Sequence, residues 1–437
     1  MPLLQVRIRL EDVEPEVWRL IAIDDARLLS EVHDAIQIAM GWTDSHLHLF
    51  EHPDGRRWSN PDLDDEMEDE DERTVALGEV LGAGGLHYEY DFGDSWSHRL
   101  ALVSSAAGNA SQVALLDGAR SAPPEDCGGA PGYENLLAVL ADPTAEDHDF
   151  LVSWASEGRT PWDEPGAFDP ESLDVDAVNR RLRQRFEPET ARQGWGESLV
   201  ALVDKMPTGA QVAHGDRLGR ARLQEPVLLD AGLAVESVLP FAWLLDRVSG
   251  GGLALTAAGR LPPDVVRAAG AALGWDRRWI GTMNREDHVP MARNLREWAT
   301  KTSLVRKYRG TLLLTRSGAA ARQDPGVLLH HLAAQALGVA PRGVAREAGV
   351  LLLGELALGL KPAREVLVDG VAFGLQMLGY ADEDRWSAPS SSTVSGLITE
   401  VWGLLGMLGL VESYVRDPLP GSAELLRDVA RLALQEG

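Results

Sequence analysis

The amino-acid sequence predicts an α+β protein, with an N-terminal β-grasp-like sheet-plus-helix domain followed by a mostly helical region with winged-helix-like modules. Three observations predict it. Short alternating apolar runs surround one helical stretch in the first hundred residues. Apolar residues recur at helical spacing through much of the second half. The charge also divides: residues 1–200 hold 15 Lys/Arg and 42 Asp/Glu, a formal −27, whereas residues 201–437 hold 26 and 25, a formal +1. Polar and glycine residues interrupt the pattern at 187–198 (EPETARQGWGES), which places a boundary there. The expected organisation is an acidic α+β domain over 1–190, a winged-helix-like helical region over 191–325 and a helical region over 326–437.

The elements of the first domain follow in order. Leu4–Leu10 (LQVRIRL) alternates as a half-buried strand does, and Val17–Ile23 (VWRLIAI) reads as its neighbour across the turn EDVEPE. Leu28, Val32, Ile36 and Met40 share one helical face, so 28–40 is a helix. Leu47–Glu51, Leu86–Phe92 and Trp96–Val103 are extended runs. Nine of the eleven residues Asp62–Glu72 are acidic, and like charges that dense predict a solvated loop. Asp174 is placed to cap a helix over Val175–Leu182 that ends in arginines.

Composition bounds the protein further. A hydrophobic fraction of 45% and a charged fraction of 25% exclude a disordered or collagen-like chain. A single cysteine, Cys127, excludes a disulfide scaffold. Met1–Leu10 has no apolar segment of signal-peptide length, and the apolar run Gly349–Leu360 contains Glu355 and is too short to span a bilayer. The expectation is a cytoplasmic protein with no membrane partner.

Two motifs stand out, His87–Leu100 (HYEYDFGDSWSHRL) and Pro123–Leu137 (PPEDCGGAPGYENLL). Together with WRLIAI, the MGW at Met40–Trp42, SHLHLF at Ser45–Phe50 and FDPESLDVDAVNRRL at Phe168–Leu182, they resemble, in order, the plasmid Ri ORF-three-like family, also called insertion-element passenger proteins. The resemblance covers about residues 3–185. It implies an α+β domain, often found near mobile elements, with no established activity. Where many members carry a cysteine this chain has Ala122, which argues against a two-thiolate metal site.

The motifs contain a set of polar residues: Asp91, Asp94, Trp96, His98, Glu125, Asp126 and Cys127. Residues two apart on a strand share a face, so Asp94, Trp96 and His98 would project together, and so would His46 and His48. Carboxylate with imidazole suits Zn, Mn or Fe and can also move protons. The metal candidates are His46, His48, Asp94, His98, Glu125 and Asp126. No cofactor is expected beyond such a divalent ion. The same residues also have purely architectural uses: Asp94 can cap a turn, His98 can donate to a carbonyl and Trp96 can fill the core. Trp18, Trp42, Trp58, Trp96, Trp154 and Trp162 can pack the core or line a cleft.

In the second half, Leu253–Gly259 (LALTAAG) and Leu312–Gly318 (LLLTRSG) both read Leu-Thr-x-x-Gly, 59 residues apart. Each suggests a strand ending at a helix-capping threonine, as in a winged-helix corner. A hairpin is expected at Arg309-Gly310. His330-His331 begin a helix as a core-plus-surface pair. Arg293, Arg296, Lys301, Arg306, Lys307 and Arg309 stand against Glu297 alone over 293–309, and are the candidates for nucleic-acid contact. The functional expectation is a non-enzymatic interaction or adaptor protein. Its acidic head would take a protein or peptide partner, and its tail would reach DNA or assemble as a homo-oligomer. The alternatives are a metal-dependent hydrolase or nuclease using Asp94, His98, Glu125 and Asp126, and a small-molecule or peptide binder with a Trp-lined cleft.

Overall fold

The computed structural model describes residues 2–62, 69–107, 113–156, 168–359, 364–382 and 387–437. The chain is α+β and divides into two compact units, Met1–Arg192 with Thr208–Asp216, and Gln193–Pro207 with Arg217–Gly437. No helix among the described residues is long and apolar enough to cross a membrane.

The first unit is built on an eight-stranded sheet of β1 (Pro2–Leu10), β2 (Trp18–Asp24), β3 (His48–Glu51), β4 (Arg57–Ser59), β5 (Glu70–Asp71), β6 (Leu86–Tyr90), β7 (Trp96–Ala107) and β8 (Ala114–Ala119). The spatial order is β5-β4-β3-β6-β7-β1-β2-β8, and only β4 and β5 run parallel. Alternation does what the period of two requires: Leu4, Val6, Ile8 and Leu10 of β1 point into the core. They share it with Leu29, Val32, Ile36 and Met40 of the helix Leu29–Met40; of the face expected from the sequence, Leu28 is instead the half-buried N-cap. Gly41, in the left-handed region at φ 77°, ends that helix. The Asp174 carboxylate accepts from the Ala177 N–H and starts the helix Val175–Phe186.

Three expectations need correction in this unit. The acidic run is more than a solvated loop: residues 63–68 lie outside the described set, but Glu70–Asp71 pair with β4 and Glu72 turns into the core. The indoles of the described residues are core and rim rather than a cleft lining. Trp42, Trp58 and Trp96 are buried core residues, Trp18 stacks beneath Arg7, Trp154 packs on the core rim, and Trp162 lies outside the described residues. Asp94 precedes β7 rather than sharing its face with Trp96 and His98.

The second unit is mainly helical. Val344–Ala357 is buried along most of its length, and Pro325–Ala334 and Ser422–Glu436 contribute to the same apolar interior. A small sheet of β9 (Leu253–Ala254), β10 (Val305–Tyr308) and β11 (Thr311–Leu314) stands among the helices Leu239–Ser249, Pro263–Leu273 and Pro290–Lys301. Its order is β10-β11-β9, with β10 and β11 joined by the hairpin at Arg309-Gly310.

The two Leu-Thr-x-x-Gly segments are not successive modules. Leu253 and Leu312 are cross-strand partners in this one sheet. Thr315 does cap a helix, Arg316–Ala321, through Oγ1 and the Gly318 N–H at 2.9 Å. Gly318 is required there, since a Cβ would sit 1.9 Å from the Leu304 carbonyl oxygen. Thr256 instead closes a turn with Arg260, and the next helix begins only at Pro263. His331 Nε2 lies 2.7 Å from the Thr302 carbonyl, while His330 pairs with Glu436 on another face.

Candidate functional site

Three loops of the first unit meet beside the end of the β3–β6 ladder, and they carry the motif residues. The last bond of that ladder runs from the Asp91 N–H to the Leu47 carbonyl (2.9 Å), which brings Asp91 alongside His46. Asp91 then takes a left-handed φ of 57°, a conformation that Asp tolerates better than most residues. Its Oδ1 accepts from the N–H groups of Gly93 (2.9 Å) and Asp94 (3.3 Å), so the Phe-Gly-Asp turn is held by its own aspartate.

The 123–129 loop is tied to 42–45 by a dense set of bonds. Trp42 Nε1 donates to the Pro123 carbonyl (2.9 Å). Glu125 accepts from the Thr43 N–H (3.0 Å), the Thr43 hydroxyl (2.7 Å) and the Tyr90 hydroxyl (2.7 Å). Asp94 Oδ2 accepts from the Gly128 N–H (3.0 Å). Gly129, at φ 67°, allows the close approach of the two motifs, because a Cβ there would meet the Asp94 carbonyl oxygen at 2.5 Å. Cys127 is half-buried against the core.

His46 Nε2 emerges where these loops converge. It lies 3.2 Å from Asp126 Oδ1 and 3.6 Å from Asp91 Oδ2. A second group gathers around His33 and His48, whose rings stack 3.5 Å apart at 12°. His33 faces Asp44 (2.9 Å) and the Tyr88 hydroxyl (2.9 Å), and His48 Nε2 faces the buried Glu72 (2.7 Å). Burial is the main cause that lowers the His48 pKa, followed by repulsion from His33. Among the described residues, His46 with Asp91 and Asp126, and His33 with Asp44 and His48, are the two groups of three whose ligand atoms lie within 4.8 Å of one another.

His98 belongs to neither cluster. It is fully buried between Tyr88 and Trp42, its Nδ1 is 3.3 Å from the Tyr88 carbonyl, and burial pushes its pKa down to about 3. The four residues expected to share an ion therefore do separate work. Asp94 and Glu125 hold loops together, His98 is a neutral core residue and only Asp126 stands beside an imidazole. His46 and His48 are likewise divided between the clusters, because β3 begins at His48 and leaves His46 in the loop. Motif spacing did not point to His33, Asp44, Glu72, Tyr90 or Thr43. The usable signal was the density of His, Asp and Tyr across 42–50 and 88–94.

In the second unit the six basic candidates also separate. Arg296 Nε donates to the buried Glu286 carboxylate at 2.6 Å, and Lys301 Nζ donates to the Val339 carbonyl (2.8 Å) and to Glu400 (3.0 Å). Both are internal structural ties rather than free cations. Arg293 is half-buried near Tyr414. Arg306, Lys307 and Arg309 are exposed on the hairpin, and the two guanidinium groups flank the Tyr308 ring at 5.4 and 5.2 Å. Among the described residues no carboxylate forms an ion pair with these three.

The order of motifs along the first unit has relatives. The family model for plasmid pRiA4b ORF-3-like proteins matches residues 2–177. The uncharacterized protein y4hQ of Sinorhizobium fredii is 34% identical over 175 residues, which is 38% of this chain and 85% of that protein. A solved protein of unknown function from Methanosarcina mazei Go1 is 28% identical, covers 40% of this chain and 96% of its own, and superposes with a TM-score of 0.34. Through these N-terminal residues the chain belongs to the plasmid pRiA4b ORF-3-like family.

Proposed function

We propose that the chain is a nucleic-acid-associated interaction protein of the cytoplasm that makes its phosphate contacts through the β10–β11 hairpin. The observation that carries the reading is the placement of Arg306, Lys307 and Arg309, exposed around Tyr308 at the tip of a hairpin. Its topological setting supports it. Helix Leu239–Ser249, strand β9, helices Pro263–Leu273 and Pro290–Lys301, and the β10–β11 hairpin follow in the order of a winged helix, with β9 closing the sheet on β11. The hairpin then stands where the wing would be.

Helix Pro290–Lys301 holds the position of a recognition helix. Its outer flank is engaged within the unit, however: Asn294 donates to the Tyr414 hydroxyl (2.7 Å), and Trp298 and Lys301 both reach Glu400. Of the six basic candidates, the three on the wing are therefore the exposed ones left for phosphate, and phosphate contact fixes position without reading sequence. The formal −27 on residues 1–200 repels nucleic acid and suits that part of the chain to a protein or peptide partner. Fluorescence anisotropy of a labelled duplex, titrated with the full chain over a range of salt, tests the proposal. Binding that weakens steeply with salt is expected, and no binding at low salt overturns it.

A further inference from the structure

We propose that His46, Asp91 and Asp126 bind one divalent first-row transition ion where loops 41–47, 91–95 and 123–129 meet. The first argument is spacing. Donor atoms bonded at ~2.0–2.1 Å around a tetrahedral ion lie ~3.4 Å from one another. His46 Nε2 stands 3.2 Å from Asp126 Oδ1 and 3.6 Å from Asp91 Oδ2, two separations close to that edge length, and the three ligand atoms lie within 4.8 Å of one another.

The second argument is the state of the nitrogen. His46 Nε2 is shielded from solvent and makes no hydrogen bond, although two carboxylates lie beside it. Two carboxylates and a neutral imidazole carry a formal charge of −2, which a divalent cation cancels.

The Asp91 carboxylate, the His46 ring and the backbone leading into Asp126 are also held before any ion arrives. Asp91 Oδ1 is occupied by the turn N–H groups of Gly93 and Asp94, which orients Oδ2 towards His46. Asp126 follows Glu125, which three bonds from Thr43 and Tyr90 fix in place. The His46 ring packs edge-on against Tyr90, with centroids 5.7 Å apart. Ligands set by an outer shell in this way lose little entropy on binding.

The donor set selects the class of ion. One nitrogen with two carboxylate oxygens suits Zn²⁺, Mn²⁺ or Fe²⁺, whereas Ca²⁺ takes six to eight oxygens. The Asp126 side chain is 73% exposed, so the fourth position opens to water. The His33–His48 group is the weaker candidate. Rings stacked at 3.5 Å and 12° cannot both aim in-plane lone pairs at one ion, and each ring already faces a carboxylate.

The test uses the full chain, freed of any affinity tag and stripped with a chelator, titrated with Co²⁺ by its visible d–d absorption and with Zn²⁺ by calorimetry. One equivalent is expected to saturate. His46→Ala and Asp126→Asn should each weaken binding by at least the ~10–100-fold that loss of an outer-shell partner costs. Asp126→Asn changes an exposed side chain, so its fold is preserved, and circular dichroism checks both variants. Absence of saturable one-equivalent binding, or wild-type affinity in folded Asp126→Asn, overturns the site. Neither result depends on nucleic-acid binding.

Discussion

Replacing Arg306, Lys307 and Arg309 by alanine removes three cations from one exposed hairpin and disturbs no buried group. Within the hairpin it also removes the stacking of the two guanidinium groups on Tyr308, each worth about 0.5–1 kcal/mol at an exposed site. Each neutralised phosphate on a duplex contributes ~0.9 to the slope of log K against log salt, so three contribute ~2.7. Over a fourfold rise in salt, from about 50 to 200 mM, this slope weakens binding roughly 40-fold. The wild-type chain should lose that factor or more, and the triple variant should lose less by about the same factor. Anisotropy isotherms on one labelled duplex at four or five salt concentrations measure both slopes. A triple variant whose slope matches the wild type, with its far-ultraviolet circular dichroism unchanged, would refute the assignment of phosphate contact to this hairpin.

Three further outcomes follow from single side chains. Arg296→Ala leaves the Glu286 carboxylate buried with the Leu261 N–H at 3.1 Å but no countercharge, so it should cost about 3–5 kcal/mol in urea unfolding while leaving the salt slope intact. His98 is neutral in the folded state with a pKa near 3, below its unfolded value of about 6.5, so the unfolded chain binds the proton first. Stability attributable to His98 is complete above pH 6.5 and falls by about 1.4 kcal/mol per pH unit below it. Denaturant unfolding at several pH values should show that part of the slope vanish in His98→Phe, and an unaltered slope would contradict it. Thr315→Ala removes the cap on Arg316–Ala321 and should cost about 1 kcal/mol, which a shift in the urea midpoint would show.

Much of the first unit was legible because its elements are local. The alternation in Leu4–Leu10, the helical face of Leu29–Met40 and the Asp174 cap each depend on residues within a turn or two of one another. The strands that escaped are those stabilised by their partners. Arg57–Ser59 and Glu70–Asp71 are two or three residues long, and the second consists of acidic residues that disfavour strands, so only pairing with β3 and with each other defines them. Ala114–Ala119 contains Asp117 and Gly118, and it exists as a strand through its register with β2. The repeated Leu-Thr-x-x-Gly shows the same limit. Its local letters suggested two equivalent corners, while the sheet uses one segment to cap a helix and the other to close a turn.

The polar site turns on a still smaller margin. The spacing of His46 and His48 implies a shared face only if the strand has begun by residue 46. The β3–β6 ladder instead pairs His48 with Tyr90 and closes with the Asp91 to Leu47 bond, after which both chains leave the sheet. A strand reaching two residues further would have turned both rings to one face and drawn His46 towards the buried Glu72 cluster. Because it stops where it does, His48 goes inward to Glu72 and His46 swings to the loop carboxylates of Asp91 and Asp126. The residue types in the motifs announced imidazole–carboxylate chemistry, but which imidazole met which carboxylate was decided by where a four-residue strand ends.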